Sequence, residues 1–206
     1  MPGKAVTGGA HREEVLALLS VALRPPTQPT FLEAALDDLR LRLDADSEAA
    51  GLVEAARRRL QGVRLDREYH RLFLGPTRPV APPFESLYRR EGLYGATTAG
   101  LLAQMREAGL EPADSFRLPS DHIALELDFL AQLEARAREA RARGDPEEAS
   151  VWSDRAHALL DGRLRAWLPA FLARLEAGAP ESPYTVLVRA TLSVLGIPVE
   201  PRRTEG

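Results

Sequence analysis

The sequence predicts an all-α fold, a single-domain helical bundle of about eight to ten helices. Apolar residues recur three and four positions apart along most of the 206-residue chain, as they do on one face of a helix. Prolines, glycines and capping residues interrupt this pattern at helix-length intervals. No segment shows sustained alternation of apolar and polar residues of the kind that half-buried strands show. We therefore expect one helical domain over residues 11–198, flanked by flexible termini at 1–10 and 199–206.

The first half of the chain contains signals for four helices. Their expected starts are His11, Thr30, Asp46 or Ser47, and Asp66. Thr30 and Glu33 have the spacing of a capping box, in which each side chain satisfies a free backbone N–H group of the other. The fourth helix is short, because Gly75 and Pro76 stop it. A stiff, proline-rich connection follows over residues 77–83, which would suit a domain-swapped dimer.

The second half contains further helix boundaries. The expected starts are Thr97 or Thr98, Ser120 or Asp121, Asp145, and Ser182. The helix that begins near Ser120 is expected to run to about Arg143. Gly144, Asp145 and Pro146 then supply a helix end, an N-cap and a first-turn proline. Pro169 interrupts a broad apolar face and predicts a kink.

Three stretches hold more specialised side chains than packing requires, at residues 69–76, 82–88 and 118–133. Their candidate site residues are Tyr69, Leu72, Phe73, Gly75, Pro76, Pro83, Phe84, Glu85, Ser86, Tyr88, Asp121, His122 and Glu126. Aromatic residues beside prolines form a rigid apolar surface that suits a bound peptide. Structural alternatives remain open for each stretch: an ordinary core helix, a loop whose aromatic residues fill the core, and a helix start that Asp121 caps while His122 bonds locally.

A metal-dependent enzyme is an alternative for the third stretch, using His122, Glu126 and Asp128. Helical di-metal sites need several carboxylates and Glu-x-x-His pairs on other helices. The sequence contains no Glu-x-x-His and only one Asp-x-x-His, at Asp154 and His157. We therefore expect no metal and no other cofactor.

Composition excludes several further classes of function. The chain has no cysteine, which removes thiolate metal sites and cysteine nucleophiles. A net charge of -3 and a pI near 5.9 argue against nucleic-acid binding. Ser86 lacks the Gly-x-Ser-x-Gly context of a hydrolase nucleophile. The apolar run from Val15 to Leu23 follows the acidic Glu13 and Glu14, which is wrong for a signal peptide. No apolar run is long enough to span a membrane, so we expect no stable membrane insertion.

The three stretches resemble, in order and spacing, the TorD/DmsD/NarJ family of redox-enzyme maturation chaperones. The match rests on Tyr69 with Leu72-Phe73-Leu74-Gly75-Pro76, on Pro82-Pro83-Phe84-Glu85-Ser86-Leu87-Tyr88, and on Leu118-Pro119-Ser120-Asp121-His122-Ile123 with Glu126, Leu127 and Phe129. The resemblance implies a cytoplasmic, all-helical chaperone that is not an enzyme. Its partner would be a molybdopterin-containing oxidoreductase, bound through its twin-arginine leader or as the apo form, held for cofactor insertion and kept from early export.

The chemistry of a twin-arginine leader agrees with this implication. Arginine forms its strongest bonds bidentately with carboxylates, so a binder needs acidic groups beside an apolar groove. The acidic candidates are Glu85, Asp121 and Glu126. The apolar wall would be Tyr69, Leu72, Phe73, Phe84 and Tyr88. His122 would orient a carboxylate or make the site sensitive to pH. The protein would be a monomer or a dimer. A permanent structural subunit of a larger helical assembly is the remaining alternative.

Overall fold

The computed structural model describes residues 12–75, 78–90, 93–113 and 116–199, and it confirms the all-α fold. The described residues form ten α-helices: α1 Arg12–Ala22, α2 Pro29–Arg42, α3 Glu48–Arg58, α4 Leu65–Tyr69, α5 Glu85–Tyr88, α6 Ala96–Glu107, α7 Ile123–Ala142, α8 Pro146–Leu159, α9 Arg165–Gly178 and α10 Pro183–Val194. A π-helical turn over His70–Leu74 continues α4, and a second one over Leu160–Leu164 joins α8 to α9. Apart from Val199, the predicted flexible termini lie outside the described residues.

Two helices organise the core. The long α7 packs against α1 and α8, whereas α10 packs against α3 and α9. Ten of the twelve residues of α10 are buried, which is typical of a helix that is apolar on all sides and enclosed by others. No helix in the described part of the chain is long and apolar enough to cross a membrane.

Several predicted helix boundaries are confirmed. The Ser47 hydroxyl accepts a hydrogen bond from the N–H of Ala50, 3.2 Å away, at the start of α3. The Asp145 carboxylate accepts one from the N–H of Glu148, 2.9 Å away, at the start of α8. Gly144 precedes this cap with a φ of +77°, a conformation that glycine adopts without steric cost. These signals are local in sequence, so the surrounding fold does not alter them.

Other predicted boundaries are wrong. The capping box at Thr30 does not form, because α2 begins one residue earlier, at a proline whose fixed φ suits the first helical position. Asp66 lies inside α4 and pairs with Arg64, at 3.0 Å. α6 begins at Ala96, before both predicted threonines. Neither Ser120 nor Asp121 caps α7, whose N-cap is the residue that follows them.

The connection between α8 and α9 is itself helical and contains Gly162. The π-helical turn carries the chain from one helix into the next without a loop, and α9 continues through Pro169. This turn points Arg163 toward α5 and α6, where it pairs with Glu85 and donates to the carbonyl of Thr97, 2.9 Å away. The irregular turn therefore contributes directly to the candidate site.

Candidate functional site

The second and third predicted stretches are joined by backbone hydrogen bonds. The N–H of Glu85 donates to the carbonyl of Asp121, and the N–H of Ile123 donates to the carbonyl of Pro83. The donor–acceptor distance is 3.0 Å in both hydrogen bonds. The extended segment before α5 thus runs antiparallel to the residues that lead into α7. Two motifs that are distant in sequence form one small substructure.

Asp121 strengthens this substructure with its side chain. It is fully buried, and its Oδ2 accepts a hydrogen bond from the N–H of Ser86, 2.9 Å away, in the first turn of α5. A carboxylate at this place satisfies a free N–H group at a helix start and interacts favourably with the helix dipole. Asp121 therefore stabilises α5, whereas the sequence predicted a cap for α7.

His122 caps α7 and links it to two other helices. Its Nδ1 accepts a hydrogen bond from the N–H of Ala124, 3.1 Å away, so Nδ1 is unprotonated and the proton lies on Nε2. Nε2 lies 3.1 Å from the Tyr69 hydroxyl and donates to it. Tyr69 in turn donates to the carbonyl of Leu23, over 3.3 Å. This chain of hydrogen bonds connects the start of α7, the end of α4 and the residue after α1.

Burial keeps His122 neutral. Loss of hydration, together with the nearby positive charge of Arg24, lowers the pKa of His122 to about 3. The imidazole therefore does not change its charge between pH 5 and 8. The predicted pH sensitivity of the site through this histidine is wrong, because both ring nitrogens are enclosed and bonded inside the protein.

A second buried polar cluster surrounds Glu85 and Glu126. Glu85 forms ion pairs with Arg163 and, at 2.5 Å, with Arg89. Glu126 accepts a hydrogen bond from the indole N–H of Trp167, 3.0 Å away. Burial and the neighbouring Glu85 raise the pKa of Glu126 well above its usual value, against the smaller opposing effect of Arg163. Loss of hydration and the neighbouring negative charge therefore favour the protonated form of Glu126.

Most of the predicted site residues lie inside the protein. Those with at most 5% exposure are Tyr69, Leu72, Phe73, Phe84, Glu85, Ser86, Asp121, His122 and Glu126. Pro83 is also buried, Gly75 and Tyr88 are partly exposed, and Pro76 lies outside the described residues. These side chains fill the core beneath the surface rather than form an open wall. Their part in peptide binding stays a prediction.

The metal-dependent alternative receives no support from the geometry of its three residues. The two nitrogens of His122 are bonded to Ala124 and Tyr69, and Glu126 faces Trp167. Asp128 lies elsewhere, beside Arg24. Within the part of the chain that the structure describes, no three or more histidine or carboxylate groups converge to hold a metal ion.

A groove of about 560 Å³ lies next to the motif substructure, and the sequence did not predict it as a site. It runs between the end of α1, the start of α2, the loop before α7 and the first turns of α7. Its lining is Val21, Ala22, Arg24, Pro25, Pro26, Thr27, Phe31, Leu32, Glu111, Pro112, Ala113, Phe116, Arg117, Leu118, Leu125, Asp128 and Tyr184. Phe116, in the groove wall, contacts the ring of His122 with 5.8 Å between centroids. The groove and the motif therefore share a wall.

The groove is largely apolar and carries charges of both signs. Phe31 is 53% exposed, which is unusual for a large aromatic side chain. Asp128 and Glu111 are its acidic groups, and Arg24 and Arg117 are its basic ones. One signal in the sequence could have pointed here. Phe31 falls outside the apolar stripe of α2, so its aromatic ring has no place in the core.

The chain is similar to proteins of known family. Residues 32–173, more than half of the chain, match the family model described as nitrate reductase delta subunit. Chaperone protein TorD of Vibrio cholerae serotype O1 (strain ATCC 39315) is 27% identical over 168 residues, which are 81% of this chain and 74% of the relative. Chaperone protein TorD of Photobacterium profundum is 28% identical over 183 residues, which are 86% and 76%.

The fold is also found in a solved structure. A crystal structure from Archaeoglobus fulgidus, of a protein named for redox enzyme maturation, superimposes with a TM-score of 0.58. The superposition covers 91% of this chain and 95% of the other at 20% identity. At this level of identity the likeness shows the fold alone.

Proposed function

Since this chain belongs to the nitrate reductase delta subunit family, which includes the TorD, DmsD and NarJ redox-enzyme maturation chaperones, we propose that it binds the twin-arginine leader of a molybdopterin-containing oxidoreductase. It would hold the apo form of that client until the cofactor is inserted, and so delay export. Because a leader is recognised before export, the chaperone would act in the cytoplasm. Its contribution is binding rather than catalysis.

The observation that carries this proposal is the apolar groove beside the motif substructure. A twin-arginine leader combines guanidinium groups with an apolar segment. The groove offers Phe31, Phe116 and Leu125 to an apolar segment. It also offers the carboxylates of Asp128 and Glu111 to arginine side chains. The chemistry of the groove thus matches both parts of a leader.

The buried motif residues would act indirectly, by holding the walls of the groove. His122 reaches the carbonyl of Leu23 through Tyr69, and Leu23 is the first residue of the α1–α2 connection that forms one wall. His122 also contacts Phe116 in the opposite wall. Asp121 fixes the backbone on which His122 sits, through its bond to Ser86. We propose that these residues position the groove and that the leader contacts its lining.

The test is binding of a synthetic twin-arginine leader, measured by isothermal titration calorimetry on the wild-type chain and on Phe31→Ala. Because the exposed ring of Phe31 would be covered by the leader, its loss should weaken binding about tenfold or more. The matched control is Leu41→Ala, which removes an apolar side chain that is 75% exposed on the same helix but lies outside the groove. This control should bind as the wild type does.

Two outcomes would contradict the proposal. Equal affinities for wild type and Phe31→Ala would place the leader elsewhere on the protein. No binding of any twin-arginine leader by the wild type, together with binding of the apo-oxidoreductase lacking its leader, would make the protein a chaperone of the client's body alone.

A further inference from the structure

We infer that Arg24 is an internal competitor of the leader: its guanidinium group occupies the place beside Asp128 that an arginine of the leader takes on binding. This inference rests on the proposed function and adds a residue that sets affinity and selectivity. Arg24 and Asp128 both line the groove, at the end of α1 and in the second turn of α7.

The contact between Arg24 and Asp128 is poorly formed. Nη2 of Arg24 lies 3.8 Å from Oδ1 of Asp128, and 3.3 Å from the hydroxyl of Ser20. Nε of Arg24 is buried and has no hydrogen-bond partner among the described residues. A single long contact lacks the paired, parallel bonds that make arginine–carboxylate pairs strong. Both side chains are also partly exposed, at 41% and 31%, so water weakens the pair further.

Asp128 is held in a fixed orientation by a neighbouring side chain. Its Oδ2 accepts a hydrogen bond from the side-chain amide of Gln132, 3.0 Å away, one turn further along α7. This bond fixes the carboxylate, so that Oδ1 faces the groove where Arg24 reaches it. A guanidinium that entered the groove from a ligand could pair with both oxygens. Displacing Arg24 would cost little, because the pair that breaks is weak.

The opposite role for Arg24 makes a distinct prediction. Its unpartnered Nε could instead donate to a carbonyl or carboxylate of the ligand. Arg24 would then be a direct binding residue, and its removal would weaken binding. If Arg24 competes with the ligand, its removal strengthens binding. The sign of the effect therefore separates the two roles.

The experiment measures the affinity of a synthetic twin-arginine leader for the wild type, Arg24→Gln, Asp128→Asn and the double variant. Arg24→Gln should tighten binding about three- to tenfold, because Asp128 no longer has an internal partner. Asp128→Asn should weaken binding, and in the Asp128→Asn background Arg24→Gln should add no more than the effect of the changed net charge. A leader with both arginines replaced by glutamine should not distinguish Arg24→Gln from the wild type.

Arg117→Gln is the matched control. Arg117 also lines the groove and carries the same charge, but the arginine that pairs with Asp128 is Arg24. It therefore reports the effect of net charge alone, which 300 mM salt should largely suppress. The gain from Arg24→Gln should exceed that of Arg117→Gln at high salt.

Three results would overturn the inference. Weaker binding by a folded Arg24→Gln would make Arg24 a direct ligand contact. Equal gains from Arg24→Gln and Arg117→Gln would reduce the effect to net charge. An unchanged gain in the Asp128→Asn background would remove Asp128 from the mechanism. Failure of the proposed function itself is distinguishable, because the wild type would then bind no leader at all.

Discussion

Glu126 is a buried carboxyl group whose pKa lies well above its usual value. Two arginines, Arg89 and Arg163, surround the neighbouring Glu85 and balance its charge. Glu126 accepts a hydrogen bond from the indole N–H of Trp167, which does not offset the loss of hydration around this second carboxyl group. Loss of hydration, reinforced by the charge of the neighbouring Glu85, therefore raises the pKa of Glu126.

Glu126→Gln should become more stable relative to the wild type as the pH rises. Since the folded pKa of Glu126 is raised, its contribution to stability is complete below about pH 4.5 and is lost as the pH rises through the folded pKa. Glutamine does not titrate, and its side-chain oxygen accepts the same hydrogen bond from Trp167. Between the unfolded and the folded pKa of Glu126, the free energy of unfolding of the variant relative to the wild type should rise by about 1.4 kcal/mol per pH unit. Urea unfolding between pH 5 and 8, followed by tryptophan fluorescence, measures it.

The control for this prediction is Glu139→Gln, at an exposed position of the same helix. Its free energy of unfolding should follow the wild-type curve at a constant offset. A constant offset for Glu126→Gln as well would show that Glu126 is ionised throughout this range.

Residues 78–83, the described part of the proline-rich segment before α5, lack regular structure but are fixed in place. Its Ala81 donates a backbone hydrogen bond to the carbonyl of Leu72, over 2.9 Å, in the π-helical turn after α4. On its other side Val80 packs against the end of α9, at Gly178. The approach is close: a Cβ atom built on Gly178 would lie 2.5 Å from a methyl group of Val80. Glycine is needed here for space, and not for a special backbone angle.

Gly178→Ala should lower the free energy of unfolding by about 1–3 kcal/mol, because the new methyl group forces Val80 and its segment away. Gly51→Ala is the matched control in the interior of α3, where a Cβ atom would meet nothing within 4 Å. It should raise stability by about 1 kcal/mol through helix propensity alone. Chemical denaturation of both variants measures the difference. A stabilised Gly178→Ala would mean that the proline-rich segment packs more loosely than the structure shows.

In the molecule as a whole, α10, the last helix of the described residues, joins the two halves of the chain. Its buried side chains contact α3 from the first half of the chain and α9 from the second. The two halves therefore share one core, and α10 cannot open without exposing both. By contrast α2 lies at the edge, with Phe31 and Leu41 in solvent.

Amide hydrogen exchange should reflect this arrangement. The amides of α10 should exchange only when the whole protein unfolds, and those of α2 through local opening at a lower free energy. Native-state exchange at increasing urea concentrations, followed by mass spectrometry of peptic fragments, measures both. Exchange of α10 before α2 would contradict the assignment of α10 as the centre of the core.

The sequence by itself determined the all-α fold, most helices and the family. Helix periodicity depends on residues within a few positions of one another, and so do the cap at Asp145 and the proline at the start of α10. These features can therefore be predicted from the sequence alone. It also singled out Asp121, His122 and Glu126 as unusual. From the sequence alone these residues are interpreted as part of a peptide-binding surface, because a polar side chain with no partner nearby in the sequence is expected to face water or a ligand.

Only the tertiary structure decided where those side chains lie and what surrounds them. Tyr69 reaches His122, and Trp167 reaches Glu126, across dozens of residues of sequence. These partners engage Nε2 of His122 and one carboxyl oxygen of Glu126 inside the protein, and the groove lies beside the motif. The groove itself joins Arg24 to Asp128 across most of the first two thirds of the chain. Such a meeting depends on how the helices pack, and no local pattern encodes it.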